Sequence, residues 1–275
     1  MAQRTQSPSS INTYKQCPRK YYYHYIKKLP TQGSIHLIRG NIVHTVLENF
    51  FKLDIASITH EHIEFELNVL LQSMFKDEWN KKLSKLYDLH LGQPKLDFYF
   101  KESQEMVNNW FESLLSRIRL KQNDHMTFQD AFNLLKPLTE VRFVSEKHKV
   151  QGFIDAVHDI NGEISLMDYK TSKRDKISDE YRLQLAIYAL LYFEKHGKHP
   201  DLVGIDFLKH GTKYLKVDQD LIQHAIDECA LIQENTKSED IREYPLKTSP
   251  LCKWSTGQCD FYDICFGQKK IDDFK

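Results

Sequence analysis

The sequence predicts an α/β protein in which a mixed central sheet is flanked by helices and preceded by a helical segment. Three observations support this fold class. Up to residue 136 the apolar residues recur at intervals of three and four, which is typical of amphipathic helices. After Pro137 the interval changes to two, which indicates strands. Two further helical patterns then interrupt the strands, and this alternation is typical of a layered α/β domain.

Glycine and proline divide the N-terminal half into separate helical segments. Ser9 or Ser10 can cap the first helix, and the stretch 30–33 breaks the chain after it. Gly92-Gln93-Pro94 ends the longest helical pattern. The predicted helices cover residues 10–26, 39–53, 61–90 and 97–121, and a short apolar segment follows near 127–135.

The second half combines strands with two helices and an irregular tail. Asn161-Gly162 lies between two β-patterned runs and is a strong signal for a two-residue hairpin turn. Gly197 ends the first helix of this half, and Gly211 marks a second turn between strands. The predicted strands are 138–146, 149–159, 163–171, 202–209 and 212–217, and the predicted helices are 179–196 and 219–235.

We interpret residues 1–275 as one domain in three parts. These are a mainly helical part over 1–136, an α/β core over 137–235, and a C-terminal tail over 236–275 that carries three cysteines.

The composition excludes several other classes of protein. Of the 275 residues, 41% are hydrophobic and 28% are charged, so the chain can bury a core and disorder is not expected. There is no run of about 18 apolar residues, so we expect no membrane span. The N-terminus has no apolar segment of the secretory type. Five cysteines are too few for a secreted disulfide framework, which favours a reducing, cytoplasmic location.

The formal net charge of zero hides a segregation of charge. Residues 1–47 contain seven basic and no acidic residues, whereas the remaining 228 residues contain 31 basic and 38 acidic ones. The basic stretch is also rich in tyrosine. Because cations neutralise phosphates and rings stack on unpaired bases, it can contact nucleic acid, and the candidates are Arg19, Lys20, Tyr21 and Arg39. Alternatively, it is a solvated basic arm whose tyrosines pack onto the domain.

The hairpin turn fixes a register for the strands on either side of it. If Asn161-Gly162 forms the turn, Ile160 faces Glu163, and Asp155 then lies opposite Asp168. Directly opposed side chains have Cβ atoms about 4.5–5.5 Å apart, and like charges at that distance are destabilising.

A metal ion would remove the repulsion between Asp155 and Asp168. Mg²⁺ commonly binds one or two carboxylates together with substrate phosphate. Lys170 lies on the same face as Asp168 and could orient water or stabilise phosphate charge. The alternative is an ordinary exposed strand, or a bulge that changes the register.

Four of the five cysteines can form one site. Cys17 stands alone near the N-terminus, and Cys252, Cys259 and Cys265 cluster in the tail. Cys229 lies in an apolar helical stretch and is interpreted as a small core residue. Zinc and iron–sulfur clusters both use four thiolates, and the spacing favours neither; unligated thiols are the third possibility.

At these residues the sequence resembles the PD-(D/E)XK nuclease superfamily, in particular its RecB-like branch with the AddB nuclease domain and the CRISPR adaptation exonucleases. The resemblance extends over nearly the whole chain. The matching pieces are Ser9-Ser10 with Tyr14 and Cys17-Pro18-Arg19-Lys20-Tyr21, Gly40 with His44, Gly152-Phe153-Ile154-Asp155, Asp168-Tyr169-Lys170, Gln184 with Tyr188, and the C-terminal cysteines.

The resemblance implies a restriction-endonuclease-like core and a role for each matching residue. Mg²⁺ or Mn²⁺ would be held by His44, Asp155, Asp168 and the backbone carbonyl of Tyr169. Lys170 would be the catalytic lysine. Gln184 and Tyr188 would share one helix face at the catalytic centre, and Glu140 would be a supporting acidic residue.

The resemblance also implies a 4Fe-4S cluster on Cys17, Cys252, Cys259 and Cys265 that ties the first helix to the tail. Six residues separate Cys252 from Cys259, whereas relatives usually have two. Zn²⁺ remains the alternative at this site.

The expected activity is metal-dependent hydrolysis of DNA, most simply as an exonuclease on single-stranded ends in recombination or repair. An endonuclease or a CRISPR-adaptation nuclease is the alternative enzyme, and a catalytically silent DNA-binding subunit is the alternative of another class. The chain lacks a phosphate-binding motor motif, so a helicase, recombination or CRISPR protein is an expected partner.

Overall fold

The fold is described from a computed structural model, which covers residues 4–58, 62–255, 257–267 and 271. The described residues do not include residue 61, the predicted start of the long helix. They also leave out parts of the predicted N-terminal segment and tail, namely residues 1–3, 256, 268–270 and 272–275.

The N-terminal half is helical, as predicted, but two of its helices are divided. Pro18 begins a new helix because the preceding Cys17 is extended, with φ −161° and ψ 112°. The long helix breaks at Lys82, and the shorter segment that follows buries Leu86. Pro94 lies in the first turn of the next helix, where its missing N–H costs nothing. The helices are α1 (Pro8–Gln16), α2 (Pro18–Tyr21), a π-helical turn (Tyr22–Ile26), α3 (Ile35–Phe50), α4 (Ile63–Lys81), α5 (Leu83–Tyr87), α6 (Gln93–Asn123) and α7 (Phe128–Leu135).

The second half forms a five-stranded mixed sheet in the order β1-β2-β3-β4-β5. The pair β3–β4 is parallel and the other neighbours are antiparallel. Ser178 caps the first helix of this half, Gly197 ends it with a φ of 69°, and Asp218 caps the second. The elements are β1 (Leu138–Ser145), β2 (Val150–Ile160), β3 (Glu163–Lys170), α8 (Asp179–His196), β4 (Leu202–Phe207), β5 (Gly211–Lys216) and α9 (Gln219–Asn235).

The β2–β3 hairpin has the predicted turn and register. Asn161 and Gly162 both have positive φ, 56° and 89°, as a type I′ turn requires. The strands pair from Ile160–Glu163 to Ala156–Met167. The ladder ends there because the next backbone donor, the N–H of Tyr169, bonds to the Asp155 side chain instead.

Each face of the sheet is covered by a separate apolar core. α8 and α9 cover one face, where side chains such as Ile154, Leu166 and Ile205 are buried. α3, α4, α6 and α7 cover the other, which includes Ala156 and Met167 of the hairpin. β2 and β3 therefore end between two helical layers, and polar side chains at that point can be held in place from both sides.

The tail is more regular than predicted and packs against the first helices. It contains a short helical turn (Ile241–Glu243), the hairpin of β6 (Lys253–Trp254) and β7 (Gly257–Gln258), and α10 (Tyr262–Cys265). Tyr244 and Phe261 of the tail are buried with three tyrosines from the N-terminal stretch, Tyr21, Tyr22 and Tyr23. No helix among the described residues is long and apolar enough to cross a bilayer.

Candidate active site

Asp155 is buried where the β2–β3 ladder ends, and both of its carboxylate oxygens have partners. Its Oδ2 accepts the backbone N–H of Tyr169 at 2.7 Å. Its Oδ1 lies 3.2 Å from the Nδ1 of His44, a residue of the helix α3. Only 9% of Asp155 is exposed, so its orientation is fixed by these two contacts.

Glu140 completes a compact group of possible metal ligands. It lies on β1 between two residues that pair with Ala156 and Ile154, so the register places it beside Asp155. One ligand atom from each of His44, Glu140 and Asp155 lies within 4.8 Å of the others, and no second group of this kind occurs among the described residues. Glu140 has a φ of 51°, which is rare outside glycine and is consistent with a functional constraint.

The charges of this group influence one another. Burial raises the pKa of Glu140, and the negative charge of Asp155 raises it further. Burial alone would lower the pKa of His44, but the hydrogen bond and charge of Asp155 outweigh it, so the pKa is raised.

Asp168 lies in a second group formed by β3 and α8. Gln184 Nε2 donates to its Oδ1 at 2.6 Å, and the Tyr188 hydroxyl lies 3.4 Å from the same oxygen. Gln184 also donates to Tyr188 at 2.7 Å, so the two share one helix face, as their spacing predicts. A Cβ at Gly152 would lie 3.0 Å from the Tyr188 ring, which explains a glycine in this strand.

Lys170 pairs with Asp168 on the face that the sequence predicts. Its Nζ is 2.5 Å from Asp168 Oδ2 and 5.3 Å from the centre of the Tyr181 ring. Burial and the nearby Asp155 raise the pKa of Asp168, and Lys170 partly offsets this rise. Burial would lower the pKa of Lys170, but Asp168 outweighs it and raises the pKa. The repulsion expected between the two aspartates is thus relieved by His44 on one and Lys170 on the other.

Two predicted nucleic-acid contacts are wrong, because the side chains are buried. Tyr21 has no exposed surface, and its ring stacks on Tyr244 at 6.1 Å between centroids. Arg39 is 2% exposed and forms an ion pair with Glu102. Neither can reach a base or a phosphate, so the alternative, in which the tyrosines pack onto the domain, describes this stretch better.

The other two residues of that set are half-buried and bonded within the chain. Arg19 Nε donates to the carbonyl of Tyr244 at 2.7 Å, and Lys20 Nζ donates to Gln16 at 3.0 Å. Arg19 therefore holds the tail against α2.

Arg39 forms part of an ion network that was not predicted from the sequence. Its Nη2 donates at 3.0 Å to the carbonyl of Thr171, the residue after Lys170. Glu102 of α6 pairs with both Arg39 and Lys209. The network joins α3, which carries His44, to the end of β3. A lone arginine in the apolar run of α3 was the available signal, because buried arginines are usually paired.

The four candidate cysteines line a single pocket. Cys17 reaches it from the N-terminal end of α2, and Cys252, Cys259 and Cys265 reach it from the tail. All four are free thiols. Burial raises the pKa of Cys265 to about 11, and the neighbouring Cys17 and Cys259 add to this rise. Cys229 is a buried residue of α9, as interpreted from the sequence.

The mixed sheet lies between helical layers, and it holds the buried carboxylates and the lysine at the end of its central hairpin. The sequence model of the PD-(D/E)XK nuclease superfamily matches residues 5–266, so the chain belongs to that superfamily. It is a deoxyribonuclease with the predicted restriction-endonuclease-like fold.

Individual relatives are more distant. The Gene 69 protein of Mycobacterium phage L5 is 25% identical over 239 residues, which cover 76% of this chain and 77% of that protein. A subunit of an ATP-dependent helicase/nuclease from Clostridium botulinum is 25% identical over 170 residues, 58% of this chain but only 12% of that protein. A solved structure from Eubacterium rectale, provisionally described as an exonuclease, covers 98% of this chain and 89% of its own, with a TM-score of 0.52 and 13% identity. This last likeness concerns the fold alone.

Proposed function

We propose that this deoxyribonuclease uses Mg²⁺ or Mn²⁺ to remove nucleotides from the ends of single-stranded DNA. The observation that carries the proposal is the convergence of His44, Glu140 and Asp155 within 4.8 Å, beside the buried pair of Asp168 and Lys170. Carboxylate oxygens suit Mg²⁺ and Mn²⁺, and the imidazole of His44 adds a nitrogen ligand. The three converging side chains therefore fit a divalent cation. The ligands that the resemblance implies are His44, Asp155, Asp168 and the Tyr169 carbonyl, with Glu140 in support.

Each side chain of the site has a separate role in hydrolysis. A bound divalent cation supplies Lewis-acid polarisation of the phosphate and lowers the pKa of a water. Gln184 and Tyr188 fix the orientation of Asp168 through its Oδ1. Lys170 neutralises Asp168 in the structure. With a divalent cation to balance the charge of Asp168, the Lys170 Nζ would be free to interact with the phosphate or the nucleophile.

Cleavage of end-labelled single-stranded DNA with Mn²⁺ tests this proposal. We expect wild type to release short products, and Lys170→Ala to be slower by about 10²–10³-fold, because one group that stabilises transition-state charge is lost. Lys216→Ala removes an exposed lysine of β5 and should cleave like wild type. If purified wild type shows no metal-dependent cleavage, the enzyme is not of this kind and a silent DNA-binding subunit becomes the better description.

A circular single strand separates the two modes of cleavage. An exonuclease leaves the circle intact and degrades the same strand once it is linear. Cutting of the circle at a comparable rate would instead identify an endonuclease.

We propose a 4Fe-4S cluster at Cys17, Cys252, Cys259 and Cys265. The proposal is supported by the resemblance of the cysteine pattern to that of iron–sulfur nucleases and by the pocket that all four cysteines line. Four thiolates could also bind one zinc ion, which is the alternative. The role of the cluster would be structural, because its ligands join α2 to the tail.

Anaerobic purification tests the cluster. We expect a brown protein with a visible absorbance band and equal amounts of iron and acid-labile sulfide, both lost in Cys17→Ser and retained in Cys229→Ala. A colourless protein that carries one zinc per chain would instead make the site a zinc site.

We also propose that the enzyme acts in a reducing cytoplasm in DNA recombination or repair, beside a separate unwinding protein. The match to part of a helicase/nuclease supports this setting, and a CRISPR-adaptation role is its alternative. Co-purification with a helicase from the native cell tests it.

A further inference from the structure

The loop between β3 and α8, residues 171–178, lies close to the proposed catalytic lysine at both of its ends. It follows Lys170 directly, and soon after it Tyr181 places its ring 5.3 Å from the Lys170 Nζ. An extended chain spans at most about 3.6 Å per residue, so the Cα of Arg174 lies within roughly 14 Å of the Cα of Lys170. A strand of DNA advances about 3.4 Å per nucleotide along a helix axis, so this distance corresponds to about four nucleotides.

The loop presents positive charge that nothing in the described chain neutralises by direct contact. Lys173, Arg174 and Lys176 are exposed, and within the described residues none of them has a carboxylate within 4.0 Å of its cationic group. The single acidic residue of the loop, Asp175, is paired with Lys213 at 2.8 Å. Such a set of exposed like charges beside an active site raises the local concentration of anions and steers an anionic substrate towards it.

Two further basic groups, Lys209 and His36, lie close enough to the loop to interact with the charge of Lys173. Burial lowers the pKa of Lys209, and the charges of Arg39 and Lys173 lower it further. The pKa of His36 is lowered by burial and by the same two charges. Glu102 is bound by Arg39 and Lys209, and two further carboxylates lie nearby, because Glu105 interacts with Lys209 and Glu180 interacts with Arg174. Within the loop itself, the three exposed cations Lys173, Arg174 and Lys176 outnumber the one carboxylate, Asp175.

Three hydrogen bonds hold the backbone of the loop at residues 171–174. The Ser172 hydroxyl donates to the carbonyl of Arg174 at 2.8 Å, and a ring nitrogen of His210 lies 3.0 Å from the carbonyl of Lys173. Arg39 holds the carbonyl of Thr171. These contacts restrain the backbone from which the cationic side chains project, and such restraint lowers the entropy lost when an anion binds.

We propose that residues 171–178, here called the cationic loop, bind the phosphate backbone of the DNA strand next to the scissile phosphate. The loop takes the part that the sequence first suggested for Tyr21 and Arg39. It has no aromatic residue, so its contacts are with phosphates, and binding through it is independent of base sequence. This inference rests on the proposed function, since it assigns the substrate surface of that same site.

The test compares two triple variants that lose the same charge. Lys173→Ala/Arg174→Ala/Lys176→Ala removes the loop cations. Lys76→Ala/Lys85→Ala/Lys95→Ala removes three exposed lysines on α4, α5 and α6. Binding of a fluorescently labelled 20-nucleotide single strand is measured in EDTA, so that no cleavage occurs, over a series of salt concentrations. Cleavage rates with Mn²⁺ are measured in parallel.

The loop variant is expected to bind about 10- to 100-fold more weakly at low salt. Its slope of log Kd against log salt should be shallower by about 2, because each phosphate contact on a single strand contributes about 0.7. Its KM should rise in proportion while kcat stays close to wild type, and the helix variant should change Kd less than about threefold. An unchanged Kd and slope in the loop variant, with active wild type, would overturn the loop assignment and leave the nuclease intact. Inactive wild type would instead remove the proposed function itself.

Discussion

Asp155→Asn is expected to reduce metal-dependent DNA cleavage by about 10⁴-fold, equivalent to about 5.4 kcal/mol of transition-state stabilisation. The amide lacks the negative charge that holds a divalent cation and that attracts His44. The substitution is nearly isosteric, and the amide oxygen can still accept the N–H of Tyr169, which is 2.7 Å from the carboxylate in wild type. The loss should therefore come from chemistry and not from unfolding. Single-turnover rates over a Mn²⁺ titration measure it.

Asp159→Asn is the matched control for this change. Asp159 lies on the same strand, and its Oδ1 accepts the N–H of Gly162 in the turn, a bond that an amide oxygen can also form. We expect activity within about twofold of wild type, as for most surface substitutions. If Asp155→Asn retained more than a tenth of wild-type activity with an unchanged Mn²⁺ midpoint, Asp155 would not be a metal ligand.

The second large effect is on stability, at the ion network of α3 and α6. Glu102→Gln is expected to lower the free energy of unfolding by about 3–5 kcal/mol, because it leaves the buried Arg39 without a counter-ion. The effect should include the active site, since Arg39 also holds the carbonyl that follows Lys170. Urea denaturation followed by circular dichroism measures the stability.

Two further variants separate charge from packing in this network. Lys209→Ala removes the half-buried third member but keeps the pair of Arg39 and Glu102, so its cost should stay near 1 kcal/mol. Arg39→Met with Glu102→Leu replaces the pair by apolar groups and should be more stable than Glu102→Gln alone. If Glu102→Gln is no less stable than Lys209→Ala, the buried pair does not hold these helices together.

The parts of the fold that local chemistry determines could be predicted from the sequence. Asn161 and Gly162 require positive φ, so the turn fixed the register of β2 and β3 to within one residue of the aspartates. The helices α8 and α9 have their predicted bounds, because Ser178 and Asp218 cap them and Gly197 ends the first. Pro18 is an equally local signal for the break in the first helix, because the residue before a proline favours an extended backbone.

Features that depend on distant residues could not be predicted in the same way. The tyrosines near residue 21 are amphipathic, so the sequence alone does not show whether they are buried. They are buried because Tyr244 and Phe261 of the tail pack against them. Likewise Glu102 gives no sign in the sequence that it will neutralise Arg39. At the site, periodicity placed Lys170 beside Asp168, but the close approach of Glu140 to His44 depends on how α3 packs across the sheet.

The burial of the N-terminal tyrosines by the tail has a consequence for biosynthesis. A ribosome adding about 5–20 residues per second needs roughly 10–45 s between Tyr21 and Tyr244. During that time the aromatic stretch has no partner to cover it, so a nascent or prematurely terminated chain displays an adhesive apolar surface that the finished protein conceals. A chain truncated before Tyr244 would leave this surface exposed, and an exposed apolar patch is an aggregation liability.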